Sequence, residues 1–265
     1  MLMNSVIVVL REVLEAAVLM SLLVVYAINM RFGLAWLRWC IPLGLLGISI
    51  YTVGMDEATD WLDGTGQEIV NAMLQLTIYL LIAAVLLCIN LAALGRKSLS
   101  SWCRIFMGLA IATAMIREGS EIVIYTSAFM AEESLRSAVL GGSVIGAGIG
   151  LSVGILLFYF FRFLARDVST VPGELCLALV GGGMVMQANL LIDQAGWLDY
   201  QAPLWDSNFL ISESSLSGQL LYAIFGYEAT PTPQQMTVYV VSILLLLVVI
   251  CVPACVQRYK PKAEL

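Results

Sequence analysis

Seven long apolar stretches divide the chain, near residues 4–29, 35–55, 68–94, 103–130, 139–162, 173–194 and 236–256. Each reaches the roughly 20 residues that a helix needs to cross a bilayer. The pattern predicts an all-α integral membrane protein with seven transmembrane helices. Connections among the first six are short, whereas the last, about 195–235, is long. Within it, "SESSLSGQLLYAIFGY" joins a Ser-rich start to an apolar run, which predicts a short helix lying on the membrane face or capping the bundle. "TPTPQQ" then ends that helix and leads into the last span.

Two stretches are interrupted in the same way. "LREVLEAAVLM" carries Arg11, Glu12 and Glu15, and "IREGSEIVI" carries Arg117, Glu118 and Glu121. On a helix, the two Glu of Arg-Glu-x-x-Glu share a face, and the Arg touches the second Glu four residues on. A single charge at mid-bilayer costs at least about 2.5–3.5 kcal/mol, so each patch must face protein or water. An intrahelical Arg–Glu pair explains part of the motif and leaves one Glu in each copy unexplained. Two copies sum to four carboxylates and two guanidiniums, a net −2 if all ionise. In a low dielectric, such a patch favours a bound cation. In "GQEIVNAMLQLT", Glu68, Asn71 and Gln75 form a third polar stripe, with Glu68 near the outer end as an entry ligand. The candidate metal ligands are therefore Glu12, Glu15, Glu118, Glu121 and Glu68, with Arg11 and Arg117 as supporting charges. Carboxylate oxygen suits hard cations. Fe³⁺ fits, and Ca²⁺, Mn²⁺ and protons are also compatible. Copper(I) is a poor match, and Met184 and Met186 are read as packing residues.

Composition and charge placement orient the bundle. The 265 residues are 60% hydrophobic and 12% charged, against about 25% charged in soluble domains. The start lacks a basic segment before its apolar run and is read as an uncleaved first helix. The chain has no His, which excludes His metal sites, His general bases and His pH switches. Its net charge of −6 argues against nucleic acid. Arg31, Arg38, Arg96, Lys97, Arg104, Arg162, Arg166, Arg258, Lys260 and Lys262 fall on one side if seven helices alternate, and Arg136 falls on the other. The positive-inside rule then places the N-terminus outside and the C-terminus in the cytoplasm. The outer side carries Asp56, Glu57, Asp60, Asp63, Glu132, Glu133, Asp199, Asp206, Glu213 and Glu228. They form either a solvated surface or one that concentrates cations. The six Cys map toward cytoplasmic halves, as reduced thiols rather than a disulfide framework, and Cys251-x-x-x-Cys255 is too sparse for a convincing metal site.

The first helix runs inward and the fourth outward, so helices one to three and four to six form inverted repeats. These cover about 1–95 and 101–195 of a single transmembrane domain spanning 1–265, followed by an outer loop with its short helix and a last helix at about 236–256. Inverted repeats place the substrate near mid-membrane, where the halves meet. In "LGGSVIGAGIGLSVGILLF", Gly142, Gly146, Gly150 and Gly154 recur every four residues and predict close approach of another helix. Gly44, Gly47 and Gly54 in the second helix are less regular.

The double Arg-Glu-x-x-Glu motif, "GQEIVNAML", "QAGWL" and the late segment "LWDSNFL…SGQLLYAIFGYEATPT" together resemble the oxidase-dependent iron permeases, the high-affinity ferric iron permeases of fungi and their bacterial relatives. The resemblance covers nearly the whole chain. It implies Fe³⁺ import across the cytoplasmic membrane, most simply a bacterial inner membrane. Glu12, Glu15, Glu118 and Glu121 would bind iron in passage, and Arg11 and Arg117 would hold the carboxylates. No permanently bound cofactor is expected. The expected partners are the iron ion, membrane lipid and an extracytoplasmic iron-oxidising or iron-delivering protein, docked on the acidic outer loops and 195–235. Three positions depart from the family pattern: Val13 where Gly is usual, Asn71 where a second Glu is usual, and Asp193 where a His is usual. Asn71 and Asp193 are therefore entry or accessory candidates. They leave open Pb²⁺, Mn²⁺ or another divalent ion on the same scaffold. No phosphate-binding Gly loop followed by Lys is present, so direct ATP use is not expected. An intramembrane hydrolase would lack His and a placed Ser or Cys nucleophile. An iron-binding sensor would lack room for an output domain. The chain is expected not to be an enzyme.

Overall fold

The computed structural model describes residues 1–93, 99–130, 132–167 and 171–259. Arg96, Lys97, Lys260 and Lys262 of the basic set lie outside the described residues, as do the side chains of Asp56, Asp63, Arg166, Cys255 and Arg258. The described chain is helical throughout: α1 Leu2–Asn29, α2 Leu37–Asp60, a 3-10 turn Trp61–Gly64, α3 Gly66–Ala93, α4 Leu99–Ala128, α5 Glu133–Asp167, α6 Val171–Gln194, α7 Leu216–Phe225 and α8 Pro233–Tyr259.

Among the described residues, six helices are long and apolar enough to cross a membrane: α2, α3, α4, α5, α6 and α8. The expected seventh, α1, has the length at 28 residues. It carries Arg11, Glu12 and Glu15 in its first half, whereas α4 has a long apolar stretch before its own Arg117, Glu118 and Glu121. Its charges are tolerated because α1 is enclosed: Leu14, Val18, Leu19, Leu22 and Leu23 are all buried with Glu12 and Glu15. α2, α5 and α8 lie at the periphery and expose Leu46, Val53, Ile155, Leu156 and Val248, as lipid-facing surfaces do.

Side-chain contacts fix the helix directions. α1 runs against α4, since Ser5 Oγ meets Tyr125 OH at 2.9 Å while Glu15 meets Arg117 at 3.0 Å. α5 runs alongside α1, and its glycines are the reason the two pack closely. A Cβ at Gly142 would lie 2.6 Å from the Leu2 carbonyl, at Gly146 2.5 Å from the Val6 carbonyl, and at Gly154 2.6 Å from the Ala17 Cβ. Ser21 Oγ ties the same seam by donating to the Gly154 carbonyl at 2.9 Å. The less regular glycines of α2 do the same against α4, where Gly44 meets Met115 and Gly47 meets Ile116. In α6, Gly181 and Gly182 admit Leu246 and Ile243 of an oppositely directed α8.

The short helix expected in the long connection is α7. Ser215 caps its start by accepting from the Gly218 N–H at 3.1 Å. Gly226 ends it in the left-handed region at φ 66°. α7 packs on α1 and α6. Gly183 makes this possible, because a Cβ there would lie 2.9 Å from the Gly226 backbone nitrogen.

Of the cysteines, Cys40, Cys88 and Cys103 are buried free thiols, Cys176 is half-buried and Cys251 is exposed. Met184 and Met186 are buried, in keeping with packing roles.

The seam gives a direct test. Gly146→Ala should destabilise the protein by about 1–3 kcal/mol, because the added methyl meets a backbone carbonyl that cannot rotate away. Gly148→Ala, with nothing within 4 Å, should be neutral or slightly stabilising. Thermal melting of the detergent-solubilised protein reads both.

Candidate functional site

The antiparallel crossing of α1 and α4 sets the two motifs face to face. The arginines are not equivalent. Arg117 is buried between the helices, with 5% of its side chain exposed, and its guanidinium reaches all four motif glutamates. Nη1 lies 3.0 Å from Glu15 and 3.6 Å from Glu12 and also contacts Glu118, while Nη2 lies 3.3 Å from Glu121. Arg11 sits at the rim with 37% of its side chain exposed. It donates from Nε to Glu12 at 2.9 Å and lies 3.9 Å from Glu15. The ring of Tyr222 on α7 covers its guanidinium at 5.7 Å, a cation–π contact.

A cavity of about 470 Å³ opens beside this cluster. Arg11 and Glu12 of α1, Gln67, Glu68 and Asn71 of α3, Arg117 and Glu121 of α4, Gln187 and Gln194 of α6, and Tyr222 of α7 all line it. Glu15 and Glu118 lie behind this lining and are almost wholly buried. Glu12 Oε2, Glu15 Oε1, Glu118 Oε1 and Glu68 Oε2 are buried oxygens with no hydrogen-bond donor. Among the described residues, no group of three or more Cys, Asp or Glu side chains is placed to hold a metal ion as it stands. The physical reason is Arg117, which occupies the space between the carboxylates.

The structure brings Glu12, Glu15, Glu118, Glu121, Arg11 and Arg117 together and adds Glu68 on the cavity wall. Asn71 joins them through its amide: Nδ2 donates to Glu121 at 3.1 Å while Oδ1 accepts from Tyr51 OH at 2.5 Å. Asp193 is not part of this group. It lines a separate cavity of about 250 Å³ with Asn189, Asp199 and Glu228, because it lies on a different face of α6 from Gln187 and Gln194, which line the first cavity. Three participants escaped sequence reasoning: Tyr51, Gln187 and Tyr222. Gln187 had a signal, an amide inside the apolar run "GGGMVMQANLLID". Tyr51 and Tyr222 had none, since aromatic residues on helices usually pack.

In the loop beyond α7, burial, then the neighbouring charge of Glu213 and a hydrogen bond to it, push Glu228 up to about 7. Glu213 itself accepts from the Ala229 N–H at 2.7 Å. The folded loop therefore favours the protonated form of Glu228. That stabilisation is complete below the ordinary carboxylate range and is lost as pH rises through about 7. Limited proteolysis of 195–235 should thus be slower near pH 5 than near pH 8, and Glu228→Gln should flatten the difference.

The arginines give a second prediction. Arg117→Ala strands buried carboxylates and should cost about 3–5 kcal/mol, enough to abolish folded protein. Arg11→Ala should cost much less, because its side chain is partly in solvent. Size-exclusion profiles and melting curves of the two variants make the comparison.

Residues 100–258 match the iron permease FTR1 family. Relatives along most of the chain are named ferrous iron permease EfeU. The protein from Escherichia coli O6:H1 is 23% identical over 267 residues, covering 93% of this chain and 94% of the relative. The one from Shigella sonnei is 23% identical over 265 residues, covering 92% and 93%. The one from Shigella flexneri is 26% identical over 164 residues, covering 61% and 68%. No solved structure matches the chain.

Proposed function

The chain belongs to the iron permease FTR1 family, and from that premise we propose that it imports ferric iron through the paired Arg-Glu-x-x-Glu motifs of α1 and α4. Family membership makes it a multi-pass membrane protein of an iron permease family, consistent with a bacterial inner membrane, and supports the reading of a transporter rather than an enzyme. The observation that carries the ferric reading is the all-oxygen donor set. Four motif glutamates and Glu68 offer several buried oxygens without donors, beside a cavity wide enough for a partly hydrated ion. Hard, highly charged cations prefer such ligands.

In this reading, α1 is the first of seven spans, the N-terminus is outside and the C-terminus is cytoplasmic. Contact directions support the alternation: α1 and α5 run together, α2 and α4 run together, α1 opposes α4, and α6 opposes α8. Arg104 donates to the Phe32 carbonyl at 3.3 Å, next to Arg31, which gathers these cations at one end. The match of α1·α5 with α4·α2, each closed by glycines, supports inverted repeats over about 1–95 and 101–195.

Iron enters from the outer cavity and meets Glu68 and Glu121 first. It then competes with Arg117 for Glu12, Glu15 and Glu118. Rotation of a carboxylate from guanidinium to metal costs little travel, since the same oxygens serve both. Inward movement of a cation gains about 2.3 kcal/mol per charge per 100 mV of membrane potential, so no coupling ion is required. An extracytoplasmic iron-oxidising or iron-delivering protein docks on 195–235, where Trp197, Tyr200 and Phe209 are exposed beside Asp199 and Asp206.

A second reading, ferrous iron as the transported ion, is favoured by the names of the relatives. Radiolabelled uptake into proteoliposomes separates the two, with ferric and ferrous arms and Mn²⁺ and Pb²⁺ as competitors. Ferric uptake should fall about tenfold or more in Glu15→Gln/Glu121→Gln. Wild-type uptake by that variant would sink the site assignment. Uptake confined to the ferrous arm would select the second reading, and dominance of Mn²⁺ or Pb²⁺ would move the scaffold to another cation.

A further inference from the structure

Beside the carboxylates, the cavity wall includes one member of a pair of amides. Gln75 of α3 donates from Nε2 to Oε1 of Gln187 on α6. Gln75 is fully buried and Gln187 nearly so. Gln187 faces the cavity, whereas Gln75 sits behind it, one turn past the Asn71 that holds Glu121. The two helices are antiparallel here, with the polar start of α3 beside the polar end of α6. Past the pair, the buried side chains of both helices are mainly apolar over the next turns, with Tyr79 OH donating to the Ser242 carbonyl at 3.0 Å and Glu174 buried further along α6. Ile78, Ile82 and Leu86 of α3 and Met184, Val180 and Leu177 of α6 are all buried. The amides thus stand where the interface of α3 and α6 changes from polar to mainly apolar.

Such a pair needs a reason. Gln75 Oε1 is buried with no donor, and an unsatisfied acceptor in an apolar interior is costly. Two leucines would pack the same space without that penalty. The amide oxygens lie one turn inward of the Asn71 that holds Glu121. Amide oxygens are hard ligands, as carboxylates are, but carry no charge. They can receive the ion and release it again, which a conducting site requires.

We propose that Gln75 and Gln187 form an inner cation station and gate, resting on the reading of the glutamate cluster as the iron site. At rest, the amides bind each other and close the path. In passage, they break their mutual hydrogen bond and turn both oxygens onto the ion, which has just left Glu15 and Glu118. The station follows the carboxylates and does not contribute to the first capture of iron.

Two measurements on the full-length protein test this: ⁵⁵Fe uptake by cells that rely on it for iron, and equilibrium ⁵⁵Fe binding to the purified protein. Replacing both partners of a buried hydrogen bond by apolar groups is often nearly neutral for folding, so the variant used is Gln75→Leu/Gln187→Leu. Uptake should fall about tenfold to a hundredfold, while binding stays within about threefold of wild type. Gln187→Glu should bind iron more tightly and transport it more slowly, because a charged station releases poorly. Wild-type uptake by the double Leu variant would overturn the gate and leave the glutamate site intact. Loss of binding in that variant would also overturn it, by placing the pair in the capture site. Unchanged uptake and binding in Glu15→Gln/Glu121→Gln would instead remove the reading on which the gate rests.

Discussion

One guanidinium holds the centre of this protein together. Arg117 lies among Glu12, Glu15, Glu118 and Glu121, with almost none of its side chain exposed. Each of these charges alone would be expensive inside a membrane. Together they are tolerable only if α1 and α4 cross with their motifs level. That requirement fixes the register of the crossing, and the other helices are arranged to permit it. The glycines of α5 let it lie along α1, and those of α2 let it lie along α4. Side chains at these seams would push the outer helices away and leave the charged crossing open to lipid. Close packing at the rim and ionic compensation at the centre are therefore one constraint.

Much of this was legible in the chain. Spacing alone put both glutamates of each motif on one face, because helix geometry sets side-chain angle. The four-residue glycine repeat announced a seam, and the Ser-rich start before "LSGQLLYAIF" announced α7. Spacing says nothing about what a face meets. The inequality of Arg11 and Arg117 depends on α7 arriving over one and not the other, and nothing local in "LREVLEAAVLM" encodes that. Asp193 was a candidate because it stands where the resembled family usually has a His. It faces a different cavity, because it lies on another face of α6 from Gln187 and Gln194.

Asn71 illustrates how a single neutral residue sets the balance of the site. A second carboxylate there would face Glu121 at hydrogen-bond distance and repel it. The amide instead donates to Glu121 and accepts from Tyr51. That chain holds Glu121 on the cavity wall without adding negative charge. The cluster keeps four carboxylates against two guanidiniums, and Glu121 is the member most open to an arriving ion, with 22% of its side chain exposed.

Arginine and a transported cation want the same oxygens, and this rivalry is useful. A bare four-carboxylate cage in a low dielectric would bind a trivalent ion too tightly to let it go and would be unstable when the ion left. Arg117 limits both extremes. It compensates the carboxylates when no cation is present, and on the proposed function it would weaken the net attraction when one is, because a metal would draw the motif carboxylates away from existing ion pairs. The free energy of binding is then a difference between two strong interactions rather than the whole of one. A site built this way can be selective for a hard cation and still exchange it, which a transport site needs and a storage site does not.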